Sequence, residues 1–322
     1  TTYAAFLLKP ERSRGLRRMI AAHVGDQMTA RLAADEAPES GTPPSLMGRL
    51  AAAAGARSRA LLDAALGGLE VAPRVFLNFG RALLRPRDFA EVFAPILQQA
   101  LRRPLAFFAV VSTLLGLTLL YILHRSIGGG ELPILPTRIF SLIGSMHVIA
   151  LAPPLSAILF SATSASAVIA WLGSMSLTKQ TTALRALGIT EQRYLWVPAW
   201  LGLVLSYLVL ALIFAGGLLL GGLLYLHWQV PELATADPLL PWELLTADIL
   251  DPPPDRAVFR VRALALTILY ALGMAGDAVA KGARDKHAAE DVTIAMVRGV
   301  MVTTSWIVAL ELGSLLLIYA RP

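Results

Sequence analysis

The chain has 322 residues, 56% of them hydrophobic, no cysteine and a net charge of +6. Its mean hydropathy of +0.63 exceeds what a soluble domain shows, and its apolar residues fall in long uninterrupted runs rather than alternating, which excludes a β-barrel. The missing cysteines exclude disulfides, thiol chemistry and cysteine metal sites, and the positive charge clusters at the ends of apolar runs, reporting membrane topology and not nucleic-acid binding.

Residues 1–47 are polar and Arg-rich and end in the loop-like DEAPESGTPPS. They read as a cytoplasmic N-terminal extension, or as part of a partner-binding domain. Residues 48–103 interleave Arg49, Arg57, Arg59, Arg74, Arg81, Arg85 and Arg87 with Leu, Val and Phe. That mixture suits amphipathic helices lying in the membrane interface, with arginines reaching lipid phosphates. A solvated amphipathic helix is the plainer reading.

The remainder, 104–322, reads as an all-α domain of five transmembrane helices. The first span is expected over Pro104–Leu123. It begins about a hundred residues in, too late for a cleavable leader directly ahead of it. Ile139–Ala170 carries no Asp, Glu, Lys or Arg. Pro153-Pro154 should break its hydrogen-bond ladder, giving a kinked or reentrant entry and a second span ending at Trp171. The third span is expected over Leu195–Leu226, the fourth over Val261–Val279 and the fifth over Val300–Tyr319. Between the second and third lies a polar island with Lys179, Arg185 and Arg193 against Glu191. Between the third and fourth, residues 228–256 hold six acids against Arg256. The positive-inside rule puts the island and Lys281, Arg284 and Lys286 in the cytoplasm, and the acidic loop outside. The N-terminus is then inside and the C-terminus outside.

No P-loop, H-E-x-x-H or G-x-S-x-G occurs. The five histidines have no metal spacing. The chain is expected to be no enzyme, to hold no cofactor or metal, and to bind no nucleic acid. Two carboxylates fall within spans, where they are costly. Asp277 stands four residues before Lys281, the spacing of a helical ion pair. Glu311 is either a hydrogen-bond anchor between helices or part of a lipid path. His147 reads as a packing histidine or a proton-relay group. The small residues Ser161, Thr163 and Ser164, and the glycines Gly216, Gly217, Gly221 and Gly222, permit close helix approach.

The island and the span after it resemble the MlaE/YrbE family of ABC-transporter permeases. Gly173, Met175, Gln180, Ala183, Leu184, Gly188, Tyr194, Leu195 and Pro198 match the family pattern without a gap. Lys179 stands where the family has Glu, Thr181-Thr182 where it has Ile-Asp, Gln192 where it has Pro, and Ala199 where it has Arg. In the second span, Leu151, Pro153 and Gly173 keep family motifs. Ile149, Ala150, Thr163 and Trp171 replace their polar members.

The resemblance implies a permease subunit of a lipid transporter in the bacterial inner membrane. It would work with a cytoplasmic ABC ATPase that binds the ATP, an MCE-domain protein, and a second permease chain, identical or not. Residues 174–189 would be the coupling helix, with Gly173, Met175, Lys179, Gln180, Leu184, Arg185 and Gly188 at the ATPase contact. Pro153, Ser161, Thr163, Ser164, the four glycines and Glu311 would lie along the lipid path or helix seam. An ion-gradient-driven transporter would need more mid-membrane charge and an internal repeat. A non-transporting subunit of a membrane complex is the other alternative, favoured by the lost polar positions.

Overall fold

In the computed structural model the chain divides into two compact units, residues 1–57 and 58–322. The structure describes residues 86–126, 135–229, 240–251 and 257–320, with 68, 71, 73–80, 82 and 84 before them. The N-terminal extension, the first part of the Arg-rich stretch and parts of the acidic loop lie outside the described residues.

Every regular element among the described residues is helical. Five helices are long and apolar enough to cross a membrane: Pro86–Ser126, Met146–Leu177, Gln192–Gln229, Ala257–Gly282 and Ala289–Ile318. Their cores are apolar all round, as expected where lipid rather than water is the outer solvent. The third span is the central element. It packs on the first, second and fourth, while the fifth packs on the second and fourth. Tyr207, Leu210, Phe214 and Leu218 of the third span are fully buried.

Several sequence boundaries are corrected. The first span does not start afresh at Pro104. Helix Pro86–Leu97 runs through a π turn, Gln98–Arg102, into Leu105–Ser126. Helical hydrogen bonds carry the chain through, Arg103 N–H to the Gln98 carbonyl (3.2 Å) and Phe108 N–H to that of Pro104 (2.9 Å). Nor do Pro153-Pro154 break the second span, which is helical from Leu135 to Leu177. Prolines are tolerated in spans when neighbours re-satisfy the backbone. Pro153 and Pro154 remove the N–H groups that would bond the Ile149 and Ala150 carbonyls, yet the helix continues. The Pro153 carbonyl itself accepts from Tyr207 Oη (3.2 Å) and Ser156 Oγ (3.0 Å), which ties this stretch to the third span. The irregularity falls later, as a π turn over Ser161–Ala165. The second span therefore ends at Leu177 and not Trp171. The fifth begins at Ala289, which brings Arg298 into it. The acidic loop is not wholly irregular. It contains helix Leu240–Leu250, whose Leu245 is buried beside Leu120, Tyr225 and Leu226.

Candidate functional site

The segment joining the second and third spans is built by local backbone chemistry. Ser174 Oγ donates to the Trp171 carbonyl (2.7 Å) and Thr178 Oγ1 to that of Ser174 (2.9 Å), closing the second span. Lys179 then takes a left-handed conformation, φ 60°, the only non-glycine among the described residues to do so. Such a conformation costs a side-chain-bearing residue about 1–2 kcal/mol. It reverses the chain so that a separate seven-residue helix, Gln180–Ala186, can start. The expected single helix over 174–189 is thus replaced by the end of a span, a sharp turn and a short helix.

That helix stops in a Schellman motif. Gly188 N–H donates to the Arg185 carbonyl and Ile189 N–H to that of Leu184, both at 3.0 Å. Gly188 has φ 74°, which glycine adopts without steric cost. Glu191, buried to 8% exposure, receives the Arg185 guanidinium at 2.6 Å. Arg185 is half exposed and also approaches Asp285 at 4.0 Å. A second tie joins the two loops on this side, since Lys286 N–H donates to Ser176 Oγ (3.0 Å). The Lys286 ammonium is bonded to the Lys281 and Arg284 carbonyls (3.0 and 3.1 Å). Burial pushes that amine below its usual value, with Arg284 adding repulsion.

The outer surface of the short helix is mixed, with Gln180, Thr182 and Arg185 exposed beside alanines. Thr181 is buried and Leu184 half-buried against the bundle, while Ala183 and Ala186 are exposed. Leu187 is 75% exposed. A groove of about 430 Å³ runs beside it, walled by Arg185, Ile189, Glu191 and Trp196. Gly173, Met175, Lys179, Gln180, Leu184, Arg185 and Gly188 therefore cluster at one end of the bundle. Gly173 is there for space, since a Cβ would meet Val292 at 3.2 Å.

The remaining named residues do not form one site. Ser164 Oγ donates to the Ala100 carbonyl (2.8 Å), joining two π turns, and Ser161 is buried beside it in sequence. Thr163 bonds only within its own helix, to the Leu159 carbonyl (2.8 Å). Gly217, Gly221 and Gly222 line the seam between the first and third spans. A Cβ on Gly221 would lie 2.7 Å from Leu117 N and one on Gly222 2.7 Å from Leu120 Cδ1. Gly216 does not belong to this seam, because it is exposed with nothing within 4 Å of a Cβ.

Both intramembrane carboxylates hold helices together. Asp277 pairs with Lys281 and accepts from Thr303 Oγ1 (2.7 Å), tying the fourth span to the fifth. Glu311 pairs with Arg262 and accepts from Tyr270 Oη (3.1 Å). Arg262 Nε also donates to Ser314 Oγ (2.8 Å). Sequence reading missed Arg262, which stands beside Arg260 at the start of the fourth span. It also missed Gly116, whose hydrogen faces the Leu218 backbone from the other side of the seam.

His147 borders an apolar cavity of about 310 Å³ between the first and second spans, with Leu119, Leu123 and Leu151. No group of three or more metal-ligating side chains occurs among the described residues.

Five membrane-length helices, with a short helix between the second and third, are those of a multi-pass membrane protein. Residues 93–316 match the family described as Permease MlaE. The chain belongs to that family. No curated protein matches the sequence significantly.

Proposed function

We propose that this chain is the membrane subunit of an ABC transporter that moves phospholipid or another hydrophobic molecule between the inner membrane and an MCE-domain partner. ATP is hydrolysed by a separate cytoplasmic subunit, and a second permease chain completes the core. The observation that carries this reading is the Gln180–Ala186 helix, which exposes Ala183, Ala186 and Leu187 beyond the end of two spans. An exposed apolar tip on a polar loop marks a protein contact. Lys179, exposed at its entrance, faces the ATPase or lipid phosphate. The apolar cavity beside Leu119 and Leu151 suits an acyl chain, which needs shape rather than hydrogen bonds.

Leu184→Asp puts a charge where the short helix meets the bundle. In the purified complex it should lower lipid-stimulated ATP hydrolysis at least about ten-fold, the equivalent of about 1.4 kcal/mol, with membrane insertion intact. Unchanged coupling would refute the docking role. Orientation has its own test, made clean by the absence of native cysteine. A cysteine replacing exposed Asp251 should react with an impermeant maleimide added outside the cell membrane. One replacing exposed Thr182 should react only after permeabilisation. The reverse pattern would invert the topology.

A further inference from the structure

The fifth span carries an exposed arginine where a lipid-facing helix should be apolar. Arg298 is nine residues past the helix start at Ala289, roughly 13 Å along the axis at 1.5 Å per residue. Its neighbours on the same helix, Ile294 (47% exposed), Val297 (52%) and Met301 (64%), are apolar and equally open. Arg284, in the loop just before this helix, is exposed too. The two arginines, Lys281, Lys286 and His287, with Asp285, Asp291 and Ile294, wall one cavity of about 280 Å³.

The neighbouring charges are already engaged. Asp291 accepts the His287 and Ala288 N–H groups (2.9 and 3.0 Å). Asp285 leans towards Arg185. Lys281 is paired with Asp277 and Lys286 with backbone carbonyls. Neither Arg284 nor Arg298 forms an ion pair among the described residues. An ionised side chain exposed along a span needs an anion or a path to the headgroups. Guanidinium groups suit phosphate because they present several donors in one plane. The apolar strip next to them suits hydrocarbon.

We propose that this pocket binds the phosphate of an anionic phospholipid, whose acyl chains lie along Ile294, Val297 and Met301. It rests on the reading that the chain spans the membrane with this loop on the inner side, and it concerns a lipid retained there rather than one transported.

The test uses the full chain in neutral detergent, with dioleoylphosphatidylglycerol or dioleoylphosphatidylcholine added and thermal unfolding and binding read together. Phosphatidylglycerol should bind and raise Tm more than phosphatidylcholine. Arg284→Gln/Arg298→Gln should weaken phosphatidylglycerol binding at least about ten-fold, or about 1.4 kcal/mol, and abolish the Tm difference. Arg102→Gln/Arg103→Gln removes the same charge from other exposed positions and should change neither. If the double glutamine variant folds poorly, Arg284→Gln alone should still lower affinity and Arg298→Lys should largely keep it. Equal loss in the control pair would overturn the proposal as general electrostatics. Soluble glycerol 3-phosphate matching the lipid at equal concentration would overturn it as a free phosphate site. An unchanged preference for phosphatidylglycerol in the double glutamine variant would overturn it outright. None of these readouts uses transport, so a failure here is separable from failure of the permease reading.

Discussion

Replacing Glu311 with alanine is expected to be among the most destabilising single changes in the membrane domain. Arg262 would remain with 9% of its side chain exposed and no carboxylate. Its Ser314 contact would survive, but Tyr270 would lose its acceptor. Breaking a buried ion pair by removing one partner costs about 3–5 kcal/mol, because the other charge is stranded. Arg262→Ala should be milder, since Glu311 keeps its bond from Tyr270 Oη. The revealing variant is Arg262→Leu/Glu311→Leu. Apolar residues of similar volume remove both the attraction and the desolvation cost, so stability should return to within about 2 kcal/mol of wild type. Denaturant or thermal unfolding in detergent reads all three. A double variant as unstable as Glu311→Ala would mean that the pair itself is not the source of the loss.

Gly221→Leu is expected to have the second large effect, for a steric reason. The first and third spans touch backbone to backbone, with Gly116 against Leu218 and Gly221 against Thr113 and Leu117. The atoms in the way are main-chain carbonyl and amide groups, which cannot swing aside as a side chain does. Overpacking a core usually costs about 1–3 kcal/mol, occasionally more, and this seam belongs at the upper end. Folded yield and Tm should both fall. Gly216→Ala is the matched control. It adds a methyl into open space and removes a helix-interior glycine, a gain of up to about 1 kcal/mol. Equal loss from both substitutions would show that close approach at the seam is not the source of the loss.

The contrast between Gly216 and Gly217 shows where reading the sequence stops. Composition locates a glycine cluster, but a helix turns 100° per residue, so adjacent glycines face different surroundings. Only the packed neighbour decides which one is needed. The spans themselves were legible, because about 20 apolar residues between charged loops leave few alternatives in lipid. So was the Asp277–Lys281 contact, which depends on spacing within one helix. The Arg262–Glu311 pair was half legible. Glu311 stood out, but its partner is 49 residues away and sits beside Arg260 near a span end, where an arginine is unremarkable. Pro153-Pro154 misled because a helix packed among neighbouring spans can continue through prolines that would end it in water. Tyr207, more than fifty residues later, could not be seen as the group that tends this stretch. The single helix expected over 174–189 was too long, since nothing in its composition announces the left-handed turn at Lys179.

The π turn at Ser161–Ala165 has a geometric effect on the whole bundle. One extra residue per turn advances every later side chain by about 100° around the axis. The second span is therefore two helices of different phase on one continuous backbone. Its first part, up to Phe160, packs on the third, fourth and fifth spans and on the Leu240–Leu250 helix. Its last part, from Ser166, turns to the fourth and fifth. A single rod without this offset would keep the same face along its length and could not leave the third span while staying against the fourth and fifth. Movement of the loop helix would then reach the fifth span through the lower phase and the third span through the upper one, with Ser164 and the Ala100 carbonyl at the junction.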